Sequence, residues 1–88
     1  MAKVTQQQSR VLRALLRGHA LKSHRYLDGR KMFKLHPLQG PPTLVRRITV
    51  DALRRRGMIE SNKKFPAATF LLTDEGRRVA GSLEREDD

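Results

Sequence analysis

Three consecutive arginines, Arg54-Arg55-Arg56, follow Arg47 and Asp51 at helical spacing, and Lys63-Lys64 come soon after them. Guanidinium groups fork onto phosphates and guanine edges, and ammonium groups meet phosphates as point charges. This is binding chemistry, and the rest of the chain offers little else. There is no cysteine, which excludes disulfides, thiolate zinc sites and cysteine nucleophiles. His19, His24 and His36 are widely spaced and lack neighbouring carboxylates, so they do not read as a ligand set. No Ser/His/Asp order, phosphate-cradling glycine loop or paired carboxylate stands out. The expectation is a protein that is not an enzyme, with no catalytic residue, no cofactor and no metal.

The charge balance supports a polyanionic partner. Nineteen Lys and Arg face nine Asp and Glu, a formal net charge of +10 on 88 residues. Four of the nine carboxylates, Glu84, Glu86, Asp87 and Asp88, lie in the last five residues, so the remainder is more positive still. Such a field on a small body attracts nucleic acid. The competing explanation is an arginine-rich proteome with solvated helix faces. Residues 1–10 are polar, and no stretch approaches the roughly 18 apolar residues of a membrane span. The expected setting is cytoplasmic, near the nucleoid, without membrane contact.

Periodicity and breakers place these residues on elements. Thr5 and Gln8 have capping-box spacing before a helix over 5–17 that Gly18 stops. Asp28-Gly29 predicts a tight type I′ turn between strands over 21–27 and 30–36. That hairpin gathers Arg25, Arg30 and Lys31 with Lys22 and Lys34, either as a basic finger or as a charge-guarded sheet edge. After a loop with Pro37, Gly40, Pro41 and Pro42, an amphipathic helix over 43–56 begins at a capping Thr43. Its apolar face collects Val45, Ile48, Thr49, Ala52 and Leu53. Short strands at 58–60 and 68–72 flank a basic loop, and Thr73 caps a last helix. The aromatics Tyr26, Phe33, Phe65 and Phe70 read as core or sheet residues rather than base-stacking platforms. The expected fold is α+β: one domain over 1–83 with three helices, a hairpin in the N-terminal half and a C-terminal wing hairpin, then an acidic frayed tail over 84–88.

The exit Leu53-Arg54-Arg55-Arg56-Gly57-Met58-Ile59-Glu60, paired with the later entry Leu72-Thr73-Asp74-Glu75-Gly76-Arg77-Arg78, resembles winged-helix regulators of the MarR and PadR kind. The layout of Gln8–Leu16, Gly18, the 25–31 hairpin and Thr49-Val50-Asp51-Ala52-Leu53 also resembles small YjhX-type toxins, described as targeting a topoisomerase. Both departures from a regular winged helix lie in one place, where a hairpin and a Pro-rich loop stand before the recognition helix. The first resemblance implies a module that binds duplex DNA through the helix 43–56 and the wing 61–67, often as a homodimer. Arg46, Arg47, Arg54 and Arg55 would then reach phosphates or a base edge. Asp51 would hold an arginine or accept from cytosine, and Lys63 and Lys64 would contact the backbone. The second resemblance implies a protein partner instead, an antitoxin or a DNA-handling enzyme.

Overall fold

The computed structural model describes residues 4–64 and 67–86. The first helix, α1, spans Gln6–Leu16. Thr5 Oγ1 accepts from the Gln8 N–H at 3.1 Å while Gln8 Oε1 accepts from the Thr5 N–H at 3.3 Å. This reciprocal capping box satisfies donors that a helix start otherwise leaves open. Strands β1 (Ala20–Arg25), β2 (Lys31–His36) and β3 (Thr43–Val45) come next. Helix α2 (Arg47–Arg55), strands β4 (Ile59–Ser61) and β5 (Ala67–Leu72) and helix α3 (Asp74–Glu86) complete the order.

All five strands form one antiparallel sheet in the order β3-β2-β1-β5-β4. Leu21 faces Leu35 on one side and Phe70 on the other, and Ser23 faces Phe33 and Ala68. Directly opposed residues share a sheet face. That face therefore carries Leu21, Phe33, Leu35 and Phe70 into one core cluster. The helices cover it with Val11 and Leu12 from α1, Val50 and Leu53 from α2, and Ala80 from α3. The opposite face, with Lys22, His24, Met32, Lys34, His36 and Leu44 on its three consecutive strands, has no helix over it.

Several expectations need correction. Residues 43–45 are a strand, not the first turn of a helix. Pro41 and Pro42 keep the chain extended, and the short run Thr43-Leu44-Val45 pairs with β2 so that Val45 packs on the core opposite Phe33. Helix α2 therefore starts at Arg47, with Arg46 as its N-cap and no side-chain capping bond. Its inward set is Thr49, Val50 and Leu53, and Ile48, expected inside, is 66% exposed. The Asp28-Gly29 turn is not type I′, because only Gly29 has positive φ (88°). The Gly29 N–H donates to the Tyr26 carbonyl at 2.9 Å and the Tyr26 N–H to the Arg30 carbonyl at 2.8 Å. That is the three-residue hairpin loop whose last residue takes the left-handed region. Tyr26, read as a core or sheet residue, follows β1 and is 44% exposed. Finally, β1 pairs with β5, so the early hairpin and the wing belong to one sheet.

The C-terminal helix is anchored at both ends. Thr73 Oγ1 accepts from the Gly76 N–H at 3.0 Å, and Asp74 and Glu75 occupy the dipole-favoured first turn. Near its other end Glu84, expected in a frayed tail, is helical and binds Arg13 Nε at 3.2 Å and Arg17 Nη2 at 2.9 Å. Asp87 and Asp88 lie outside the described residues. These two guanidinium hydrogen bonds hold the Glu84 carboxyl below the usual carboxylate range. No helix among the described residues is long and apolar enough to cross a membrane.

Gly76 is explained by a close approach rather than by φ. A Cβ there would lie 2.0 Å from the Met58 carbonyl oxygen, a backbone atom that cannot step aside. Gly81 would meet only the end of the Arg85 side chain, at 3.7 Å. Urea unfolding should therefore show Gly76→Ala destabilised by about 3 kcal/mol, and Gly81→Ala unchanged or stabilised by up to about 1 kcal/mol. Because the folded Glu84 carboxyl is the more acidic one, its contribution is present at neutral pH and disappears as pH falls through its folded value. A Glu84→Gln variant should lose stability near pH 7 and show a shallower acid-unfolding slope than the parent chain.

Candidate nucleic-acid interface

The register of β1 separates the charges of the first hairpin. Arg25 and Lys31 oppose each other on the helix-covered face, whereas Lys22 and Lys34 oppose each other on the open face. On the covered face a cleft of about 270 Å³ opens between the end of α2, the hairpin and the wing. Arg25, Lys31, Arg54, Lys63 and Lys64 line it around a floor that includes Ser23 and Phe70. No carboxylate is among its lining residues.

The aromatic floor holds two of these cations in place. Phe33 and Phe70 stack with centroids 5.9 Å apart and planes tilted by 54°. The Arg54 guanidinium carbon lies 5.7 Å from the Phe70 centroid, and Lys31 Nζ lies 5.7 Å from that of Phe33. Cation–π attraction of about 0.5–1 kcal/mol per exposed pair orients both groups. Arg25 Nη1 donates to the Gly29 carbonyl at 3.4 Å.

The wing entrance is built by short polar side chains. Ser61 Oγ accepts from the Lys63 N–H at 2.9 Å, and Asn62 Oδ1 accepts from the N–H groups of Lys64 and Thr69, each at 3.1 Å. Lys63 is held at φ 62°, the left-handed region. A lysine there costs about 1 kcal/mol or more unless its surroundings fix it. Phe65 and Pro66, part of the expected wing 61–67, lie outside the described residues.

The other expected residues are distributed around this cleft. Arg54 and Arg55 border a shallow groove with Asp51, so the outer face of α2 runs into the cleft through Arg54. Asp51 pairs with Arg47 one turn earlier at 3.6 Å. Arg46 is exposed at the helix start. Arg30 belongs elsewhere: it binds Asp28 at 2.8 Å and lines a pocket with Met32 and Lys34, which face away from the cleft. Arg56, third of the arginine run, turns back to donate to Gln8 Oε1 at 2.9 Å and ties α2 to the α1 cap. The cleft itself was not foreseeable, since it depends on β1 pairing with β5 across more than forty residues of chain.

Comparison with known protein families, curated proteins and solved structures finds no match for this chain. Its functional reading therefore rests on its own geometry.

The histidines take no part in the cleft. Among the described residues no three His, Asp or Glu side chains cluster as metal ligands. His24 and His36 share the open face with ring centroids 6.4 Å apart, and the buried Nε2 of His36 has no hydrogen-bond partner. Burial, then Lys22, His24 and Lys34, push the His36 imidazole below its ordinary value of 6.5. Below about pH 6.5 the unfolded chain thus takes up a proton that the folded one resists. The thermal midpoint should fall from pH 7.5 toward pH 5.5, and His36→Leu should flatten that part of the profile.

Proposed function

We propose that the protein is a small nucleic-acid-binding module that takes duplex DNA against the outer face of α2 and the cleft beside it. The observation that carries this reading is the convergence of Arg25, Lys31, Arg54, Lys63 and Lys64, from the hairpin, α2 and the wing, on one cleft lined by no carboxylate. The succession of α2 directly into the β4–β5 hairpin is also what the winged-helix resemblance implies. In place of the helix that a regular winged helix carries before its recognition helix, this chain has β2, a Pro-rich loop and β3.

The division of labour follows from chemistry. Arg54 and Arg55 project from the last turn of α2, where a guanidinium fork can reach a guanine edge or bracket a phosphate. Lys63 and Lys64 contact the phosphate backbone, which positions the duplex without reading sequence. Arg25 and Lys31 close the opposite wall of the cleft. Arg47 is partly neutralised by Asp51 and contributes less.

The test is fluorescence anisotropy with a labelled duplex of about 30 base pairs across a salt series. Replacing Lys63 and Lys64 by Gln should weaken binding evenly across sequences and lower the salt slope by about one per lysine. Arg54→Ala should cost about 1–3 kcal/mol and relax sequence preference if it reads a base. Full retention of binding by the triple variant would sink the assignment of this cleft.

A further inference from the structure

The bare face of the sheet carries a second kind of site. Tyr26, Met32, Pro42 and Leu44 form the apolar part of a pocket of about 440 Å³, and Arg30 and Lys34 complete it. Tyr26 is 44% exposed and Leu44 62% exposed. Lys22 stands directly opposite Lys34 on the neighbouring strand, extending the positive border away from the pocket. One carboxylate approaches, Asp28, in an exposed pair with Arg30 that a phosphate can displace.

We infer that this pocket binds an unpaired nucleotide of a single-stranded nucleic acid, its base on Tyr26 and its flanking phosphates on Arg30, Lys34 and Lys22. The charge of the border selects a polyanion. The apolar floor selects among polyanions, since a duplex keeps its bases stacked inside and offers a phosphate rail with nothing to fill such a floor. An unstacked base has a π-face that an exposed tyrosine can take, and its phosphates then lie within reach of the surrounding cations. The site lies on the sheet face opposite the cleft, so the inference does not depend on the duplex reading. Together the two sites would let one chain hold a duplex and a displaced strand at once.

The experiment uses the full chain, a labelled mixed-sequence 20-nucleotide single strand and the 30-base-pair duplex, with circular dichroism to confirm folding of each variant. Tyr26→Ala should weaken single-strand binding at least about fivefold and leave duplex binding within twofold. Lys22→Gln with Lys34→Gln should weaken it further and reduce its salt slope by about two. Replacing Arg54, Lys63 and Lys64 by Gln should do the reverse, impairing duplex binding and sparing the single strand. A saturating duplex should leave the single strand bound in the parent protein.

Single-strand affinity unaffected by Tyr26→Ala would overturn the inference. So would one-for-one competition between strand and duplex, or a Tyr26→Ala variant whose only change is loss of self-association in sedimentation, which would assign the pocket to a second copy. Absence of duplex binding alongside Tyr26-dependent strand binding would overturn the cleft and leave this site standing.

Discussion

The structure depends on the register of its central strand. β1 is hydrogen-bonded on both sides, and Leu21 must meet Leu35 and Phe70 together for the core to close. A slip of one residue would move every side chain to the other face. Leu21 and Ser23 would be replaced under the helices by Lys22 and His24, which no cluster of Val11, Leu12, Val50 and Leu53 can accommodate. The same alternation decides where charge appears. It puts Arg25 beside Arg54 and the wing, and it puts Lys22 and Lys34 on the bare face. Core packing and charge distribution are thus two outcomes of one register.

The Phe33–Phe70 pair shows how core and surface are joined without being made interdependent. Both rings are buried members of the core cluster. Burial of a phenylalanine contributes about 1.5–3 kcal/mol, against about 0.5–1 kcal/mol for an exposed cation over its face. The rings are therefore fixed by the core whether or not Lys31 and Arg54 lie over them. The cations can leave the rings for a phosphate at small cost, and the floor of the cleft stays in place. A site built this way is rigid below and adaptable above.

Much of this was legible in the sequence wherever the determining contacts are local. The Thr5/Gln8 box, the Thr73 cap and the hairpin at residues 20–36 are set by residues three to five apart. The failures share a cause. A strand of three residues, Thr43–Val45, is shorter than any periodic signal, and its apolar residues match a helical face equally well until β2 is there to pair with it. Asp28-Gly29 specifies a turn, but the loop length that fixes the turn type depends on where the strands stop pairing. The cleft depends on β1 meeting β5, a contact between distant segments that no local pattern encodes. The individual cations could be read from the sequence, and their division between two faces could not.

The placement of the carboxylates is as informative as that of the cations. Asp28 pairs with Arg30, Asp51 with Arg47, Asp74 with Arg77, Glu75 with Arg78, and Glu84 with Arg13 and Arg17. Each of these pairs sits on a helix or a turn beyond the cleft lining, and the exposed Glu60 lies on β4 opposite Leu71. A chain selected for stability alone would place some of these acids among Arg25, Lys31, Arg54, Lys63 and Lys64, where mutual repulsion is greatest. Exposed pairs contribute only about 0.2–1 kcal/mol each, so moving them would sacrifice little. Salt at physiological strength screens charges beyond about 8 Å, which reduces the repulsion within the cleft without removing it. What removes it is a partner with closely spaced fixed negative charges, and a nucleic-acid backbone supplies them at the required density.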